Sequence, residues 1–221
     1  MVAASAHFLS AGHYAPLADA VATLAYAHAA SHGLILEVGA GTAYYLAPCL
    51  DRLLGRHGLA VDLSKHAVRR VGRAHIRIAA VVADIWSRIP LAEGSVAMAL
   101  DVFAPRNPRE LRRTLRDDGA LLVVTPALSH LAELRQPLAL LDIDRRKEER
   151  LADAFAPFFR CHVQESLTWR MELKRDDVTS LAAMLPSARH TDVRAVAHRV
   201  AMLSFSTSVT GAVMLRIYRP I

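Results

Sequence analysis

The chain has 221 residues, 53% of them hydrophobic, which is enough to bury one sizeable core and does not require a second. Its apolar runs end well before the roughly 18 residues that a membrane span needs, and its first residues lack the features of a secretory signal. The two cysteines lie outside any His/Cys cluster and so give no support to a disulfide framework or a metal site. A net charge of +6 suits an anionic partner, although a solvated basic surface explains the same excess. We expect a soluble cytoplasmic protein with no metal.

Continuous apolar runs alternate with helically spaced apolar residues, which is typical of strands and helices around a parallel sheet. Strands are predicted at residues 34–38, 59–63, 76–82, 96–103 and 120–125, and two late alternating strands at residues 162–173 and 204–218. Helices are predicted at residues 16–30, 43–54, 65–73, 108–116 and 178–185, with another starting at Ser129. Ser64 is expected to cap the helix at residues 65–73. Residues 142–150 form a charged run that we interpret as a connector. The pattern predicts an α/β fold with a mostly parallel sheet and antiparallel pairing at one edge.

The first strand ends in a glycine turn, written as LILEVGAGTA at residues 34–43. Gly39 and Gly41 permit backbone angles and a close approach that a side chain would block, so a nucleoside ligand could lie against bare peptide there. The third position of the dinucleotide fingerprint is Tyr44, and no Gly-Lys-Ser/Thr follows the turn. The turn therefore predicts a nucleoside site but argues against pyrophosphate binding.

Acidic residues stand at the ends of the first three predicted strands. Asp62 lies about 20 residues after the turn, where a ribose-binding carboxylate belongs. Asp84 ends the third strand, where it could accept a hydrogen bond from adenine while Ile85 and Trp86 offer apolar surface to the ring. Each acid alone could be a simple turn or cap residue. Together with Glu37, the acidic start of the turn favours a cationic sulfonium cofactor over a dinucleotide.

In this order the motifs resemble those of the class I methyltransferases. More narrowly, the segments FLSAGHYAPLADAV, LEVGAGTAYYL, VDLSKHAVRR, VFAPRNPREL and VVTPALSHLAEL are similar to the RlmA-type ribosomal RNA guanine-N1 methyltransferases. The resemblance implies a Rossmann-like fold of seven strands with helices on both faces, S-adenosylmethionine as cofactor and ribosomal RNA as partner. It also implies cofactor contacts from Tyr14, Gly41, Thr42 and His130. Residues 1–33 would then be a helical segment covering the cofactor site, and residues 34–221 the cofactor-binding domain.

The substrate side of the site is expected after the fourth strand. Asp101 is a hypothesis for the general base, because a strand-end carboxylate near the methyl group could accept the N1 proton of guanine. Phe103 would stack on or wall the target base, and Arg106 and Arg109 would meet phosphates. The same arginines could form only a solvated helix face. Asp101 itself departs from the family pattern, which places the family's substrate in question.

A second departure concerns the beginning of the sequence. Family members carry an N-terminal four-ligand zinc module that helps to hold RNA, and this sequence begins where that module would end. Two alternatives to RNA methylation therefore stay open: a methyltransferase of a small molecule, such as a sugar, lipid precursor or secondary metabolite, and a catalytically silent binding protein. No membrane partner is expected, and a homodimer is left open.

Overall fold

The computed structural model describes residues 2–140, 146–185 and 193–221, and the chain divides into two compact units. Unit 1 is formed by the described parts of residues 1–16, 126–145 and 166–213. Unit 2 is formed by residues 17–125, 146–165 and 214–221. The expectation that residues 1–33 form a helical segment covering the cofactor site stays a prediction.

Seven strands form one mixed sheet, mostly parallel with an antiparallel edge, in the order β3-β2-β1-β4-β5-β7-β6. The strands are β1 (Leu34–Val38), β2 (Gly58–Asp62), β3 (Ile78–Val82), β4 (Val96–Val102), β5 (Leu115–Pro126), β6 (Phe159–Lys174) and β7 (Ser206–Pro220). The first five strands lie in unit 2 apart from Pro126, whereas β6 and β7 run through both units. The predicted fold class is confirmed.

Strand β4 is central in the sheet, and every residue from Val96 to Val102 is buried. A strand covered on both faces is a continuous apolar run, and this is why the sequence pattern revealed it. Strand β5 begins five residues before the predicted start, because Leu115 already pairs with Val96 and the register then shifts before Ala120 pairs with Met98. The prediction that the strand begins after Asp118-Gly119 was therefore wrong.

The helices of unit 2 are α2 (Ala15–His28, whose first two residues belong to unit 1), α3 (Leu46–Arg52), α4 (Lys65–Val71), α5 (Pro108–Thr114) and α7 (Lys147–Phe155). Ser64 caps α4 by accepting a hydrogen bond from the Ala67 N–H, as the sequence predicted. Helix α3 begins three residues later than predicted, because Ala43 has a positive φ and continues the turn. Residues 142–145 of the predicted connector lie outside the described residues, and its last four residues belong to α7.

Unit 1 contains α1 (Val2–Ser10), α6 (Ala132–Leu138), α8 (Arg175–Met184) and α9 (Val193–Ala201), together with parts of β6 and β7. Helix α8 packs against α1 and α9, and α9 also packs against α6. The helix predicted at Ser129 begins at Ala132, because Leu131 adopts a left-handed conformation before it. Within the described residues, every helix is too short or too polar to cross a bilayer.

Candidate functional site

The carboxyl ends of β1, β2, β3 and β4 meet at one edge of the parallel part of the sheet. In the register of the strands, Val38 lies beside both Val61 and Asp101, and Asp62 lies beside Val82. In open α/β sheets, ligands bind outside this edge. The topology of unit 2 therefore brings the turn after β1 and the predicted acidic residues to a common edge.

The two glycines of the turn have different surroundings. Gly39 has φ +60°, and a Cβ added there would lie 2.6 Å from the Cβ of Ala104 in the segment that leaves β4. Gly41 has φ +55°, and an added Cβ would meet no atom within 4 Å. Gly39 is therefore required by the protein's own packing, whereas Gly41 leaves its outer side open to a ligand.

Asp62 organises the backbone at the ends of β1 and β2. Its Oδ2 accepts a hydrogen bond from the Gly41 N–H at 2.8 Å, and its Oδ1 accepts one from the Ser64 N–H at 2.7 Å. Each carboxylate oxygen has a second lone pair, so the group can still accept from a ribose hydroxyl. The residue predicted to bind ribose thus also fixes the shape of the glycine turn.

The ends of β2 and β3 present apolar surface. Leu63 follows Asp62 and is 71% exposed, and Trp86 is 65% exposed, whereas Ile85 is buried. Asp84 accepts a hydrogen bond from the Trp86 N–H at 3.0 Å, which makes a tight turn at the end of β3. Leu63 was not singled out from the sequence, although an apolar residue directly after a strand-end acid is a usable signal.

Glu37 is buried at the end of β1, where its Oε2 accepts a hydrogen bond from the Leu46 N–H at 3.3 Å. Burial raises the pKa of this carboxyl from 4.5 to about 8, and the nearby Asp62 carboxylate acts in the same direction. A cation placed beside Glu37 would favour its ionised form. The acid at the start of the turn is thus sensitive to a positively charged ligand.

Asp101 and Arg106 form a buried ion pair at the end of β4, with Arg106 Nε 3.3 Å from Asp101 Oδ2. The Asp101 side chain has no exposed surface, and that of Arg106 is 14% exposed. Phe103 lies between them in the chain with φ +57° and is partly exposed. Arg106, predicted to meet phosphate, therefore faces Asp101 and offers little surface to a partner.

Three of the arginines predicted after β4 are occupied within unit 2. Arg113 binds Glu110 and donates to the carbonyls of Ile89 and Leu91. Arg112 pairs with Asp117, and Arg116 pairs with Asp118. Arg109 is exposed and forms no side-chain bond to another described residue. Of the two arginines predicted to bind RNA, Arg109 is the more accessible one.

Tyr14 and His130 come together in unit 1, with Tyr14 Oη 3.2 Å from His130 Nε2. The Ala212 N–H donates to His130 Nδ1 at 3.1 Å, which assigns the ring proton to Nε2 and makes Tyr14 its acceptor. Burial lowers the pKa of His130 to about 4, so the imidazole is neutral at pH 7. Burial also raises the pKa of Tyr14 above its usual value. The sequence predicted a cofactor contact for each residue separately. The structure shows in addition that the two side chains, 116 positions apart in the chain, are hydrogen-bonded to each other.

Trp169 completes the surroundings of Tyr14. The two rings meet edge to face with centroids 5.4 Å apart, and Trp169 Nε1 donates to the carbonyl of His13 at 2.8 Å. A Cβ at Gly211 would lie 2.2 Å from the indole. No sequence signal pointed to Trp169, because it lies on a long late strand outside every recognised motif.

The residues at the strand ends of unit 2 fit S-adenosylmethionine. The open side of Gly41 gives room for close approach, the three acids suit a cation and hydroxyl groups, and Leu63 and Trp86 offer surface to an adenine ring. A pyrophosphate would meet carboxylates there instead of basic side chains. The predicted cofactor contacts of Glu37, Gly39, Gly41, Thr42, Asp62, Asp84 and Ile85 stay predictions. Ile85 is buried and so offers a ligand little side-chain surface, and Ala104 occupies the side of Gly39 that is open at Gly41.

Solved structures show the same fold at low sequence identity. The MccD protein superposes with a TM-score of 0.60 at 13% identity, covering 91% of this chain and 96% of that one. A geranyl diphosphate methyltransferase in complex with S-adenosylmethionine gives 0.53 at 14% identity over 91% and 85% of the two chains. The [4+2]-cyclase SpnF gives 0.54 at 18% identity over 91% and 80%. Since a cyclase shares the fold, the fold alone does not determine the reaction.

Curated relatives are much more similar in sequence, although no family model matches the chain. The 23S rRNA (guanine(748)-N(1))-methyltransferase of Streptomyces fradiae is 45% identical over 223 residues, covering 100% of this chain and 80% of that protein. A protein of Micromonospora griseorubida, assigned by name to the 23S rRNA (guanine-N1)-methyltransferases, is 46% identical over 235 residues with the same coverage. The chain therefore belongs to the 23S rRNA (guanine-N1)-methyltransferase family and is an S-adenosylmethionine-dependent methyltransferase.

Proposed function

We propose that this protein transfers a methyl group to N1 of a guanine in 23S rRNA. The observation that carries the proposal is the 45% identity over the whole chain to the Streptomyces fradiae relative, whose name gives guanine 748 as its target. The basic balance of the chain, +6, supports an RNA substrate over a neutral small molecule. Guanine 748 is accordingly the first nucleotide to test.

Bound S-adenosylmethionine would supply an electrophilic methyl group on a sulfonium. The chain's own residues would hold the two reactants in line and exclude water, which is where most of the rate enhancement of such a displacement arises. In this proposal Asp62 and Asp84 bind the nucleoside of the cofactor. The Glu37 carboxylate attracts the positively charged part of the cofactor, and Gly41 and Thr42 let the cofactor lie close to the backbone. Tyr14 and His130 contribute cofactor contacts through the family resemblance.

Asp101 accepts the N1 proton in this proposal, and Phe103 stacks on the target base. The Arg106 guanidinium holds the Asp101 carboxylate in place at the end of β4. We expect Asp101→Asn to lower kcat by about 10²-fold or more, the contribution of a general base, while calorimetry shows S-adenosylmethionine affinity within about twofold of wild type. Unchanged turnover would remove Asp101 from the mechanism.

The direct experiment uses a 23S rRNA transcript and S-adenosylmethionine with a tritiated methyl group. Because N1 lies on the pairing edge of guanine, its methylation should stop primer extension one nucleotide before guanine 748. Replacing that guanine by adenine in the transcript is the matched control and should abolish both tritium transfer and the stop. Cofactor binding without transfer to the transcript would refute RNA methylation and bring back the small-molecule and silent-protein alternatives.

An rRNA substrate also implies a cytoplasmic location. We retain a homodimer as part of the proposal, and light scattering on the eluting protein tests it directly. A mass of one chain, about 24.2 kDa, would refute the dimer.

A further inference from the structure

Helix α4 and the turn after it form a strongly basic part of unit 2. Between residues 63 and 83 the chain has five Lys and Arg residues and no Asp or Glu. Arg77 has a structural role, because its guanidinium donates to the backbone carbonyls of Leu53 and Arg56. The remaining four, together with His66, make up what we call the α4 basic face: Lys65, His66, Arg69, Arg70 and Arg73.

The α4 basic face is built by the helical period. Ala67 and Val71 are buried, and Val68 is partly buried beside them, so this side of α4 packs against the sheet. At 3.6 residues per turn, the opposite side receives the exposed basic residues over an arc of about 140°. Arg73 follows directly after the helix and is also exposed. The outward side of this helix is therefore composed of basic side chains alone.

The cationic side chains of the α4 basic face are unpaired within the part of the chain that the structure describes. Among the described residues, no hydrogen bond or ion pair joins the side chains of Lys65, Arg69, Arg70 or Arg73 to another residue. Helix α5 differs, since Arg112 and Arg113 bind Asp117 and Glu110. Four like charges held close together without counter-ions repel one another, and an anionic partner would relieve that repulsion.

We propose that the α4 basic face binds the phosphate backbone of the RNA that carries the target guanine, an inference that rests on the proposed function. Lys65 is the first residue of α4 and stands three positions after Asp62, so the face starts at the sheet edge where the cofactor site is proposed. A guanine presented at that edge would have its flanking backbone along α4. Phosphate contacts of this kind position RNA without reading its sequence. An anionic membrane is the competing partner, because the exposed Leu63 and Ile76 flank the face, but the identity of the chain to an rRNA methyltransferase favours RNA.

The test is the salt dependence of RNA binding by the full chain, measured by fluorescence anisotropy with a hairpin containing guanine 748. Arg69→Gln/Arg70→Gln/Arg73→Gln should weaken binding by about 10- to 100-fold near 0.1 M salt. It should also reduce the slope of log K against log salt by about 2, because each phosphate contact contributes roughly 0.7 to 0.9. The KM for RNA should rise, with kcat and S-adenosylmethionine affinity within about twofold of wild type.

The single variant Arg69→Gln should reduce the salt slope by about 0.7 to 0.9. Arg160→Gln is its matched control, because Arg160 is exposed on β6, lies in the same unit and forms no side-chain bond to another described residue. The control should bind RNA like wild type, and thermal melting should show that all variants fold. If wild type methylates the hairpin and the triple variant matches the control, the inference is overturned while the proposed function stands. If wild type neither binds nor methylates RNA, the proposed function fails and the inference falls with it. Loss of binding to phosphatidylserine vesicles with RNA affinity unchanged would point to a membrane surface and overturn the RNA assignment.

Discussion

Gly39 and Gly41 are two positions apart and both have positive φ, yet replacing each should have a different result. Alanine at position 39 would place its Cβ 2.6 Å from the Cβ of Ala104. Either the segment that follows β4 must move or the turn must open. Alanine at 41 meets no protein atom and carries only the left-handed backbone cost of about 1–2 kcal/mol. Urea unfolding should show Gly39→Ala destabilised by several kcal/mol more than Gly41→Ala.

Cofactor binding separates the two variants further. Gly41→Ala should fold and lose S-adenosylmethionine affinity by about 10-fold or more in calorimetry, because its methyl group enters the space left for the ligand. Gly55→Ala is the control, since Gly55 has φ +74° and open surroundings far along the chain from the turn. Full affinity in Gly41→Ala would show that the cofactor does not approach this part of the turn.

At the scale of single residues, the sequence showed which residue types stand at the candidate site but not how they are held there. Glu37, Asp62 and Asp84 could be chosen because strand ends and the spacing from the turn are visible in the pattern. The use of both Asp62 oxygens by backbone N–H groups could not be predicted. Nor could the ion pair of Arg106 with Asp101, which depends on how the segment after β4 folds back.

Helix α5 is held to the loop before β4 mainly by one side chain. Arg113 bonds to both oxygens of Glu110 and to the carbonyls of Ile89 and Leu91, and its hydrogen bonds hold the pKa of Glu110 below its usual value. Arg113→Gln leaves the mostly buried Glu110 carboxylate without its cation. We expect it to lower the free energy of unfolding by about 2–4 kcal/mol in urea denaturation.

Arg112→Gln is the neighbouring control on the same helix. Its partner Asp117 is 92% exposed, so losing this pair should cost less than about 1 kcal/mol. Equal losses in the two variants would contradict the structural role of Arg113. RNA affinity should respond little to either change, because both guanidinium groups are occupied by partners within unit 2.

At the scale of elements, strands were predicted within a few residues wherever they form buried apolar runs, as in β1, β2 and β4. The starts of α4 and α5 were also predictable, because Ser64 as the cap and Pro108 as the first helical residue act through local geometry. Helix α9 was not predicted, since it packs against helices α6 and α8 and its sequence is rich in Arg and His. The late start of α3 follows from the positive φ of Ala43, a conformation that the sequence of a non-glycine residue does not reveal.

For the whole molecule, the two units should respond to pH in opposite directions. The pKa of Glu37 is raised from 4.5 to about 8, so folded unit 2 binds an extra proton between these values and loses stability as pH rises. The pKa of His130 is lowered from 6.5 to about 4, so the unfolded chain binds the extra proton there, and unit 1 loses stability as pH falls. Across each of these pH ranges, the free energy of unfolding should change by as much as a few kcal/mol.

Hydrogen exchange measures the local stability of each segment as a function of pH. The exchange is read by mass spectrometry and corrected for intrinsic rates. Peptides from residues 34–52 should become less protected from pH 5 to pH 8, and peptides from residues 126–140 should become less protected from pH 7 to pH 5. Glu37→Gln should flatten the first response and His130→Gln the second. If all peptides shared one pH profile, Glu37 and His130 would not contribute independently to the stability of their units.

The sequence indicated one main domain, and the structure divides the chain into two units that are discontinuous along it. Sequence patterns describe local elements, whereas the division depends on which distant segments pack together. Strands β6 and β7 read as single alternating strands, and nothing in their pattern marks the positions 165/166 and 213/214 where they pass from one unit to the other.

The path of the chain has a consequence for synthesis. Unit 1 contains α1, near the start of the sequence, and also residues 206–213 of β7, while unit 2 needs the remainder of that strand. Neither unit is complete until β7 has left the exit tunnel, and until then β5 and β6 lack the strand that lies between them in the sheet. Translation pauses before residue 206 should leave an aggregation-prone intermediate that depends on chaperones.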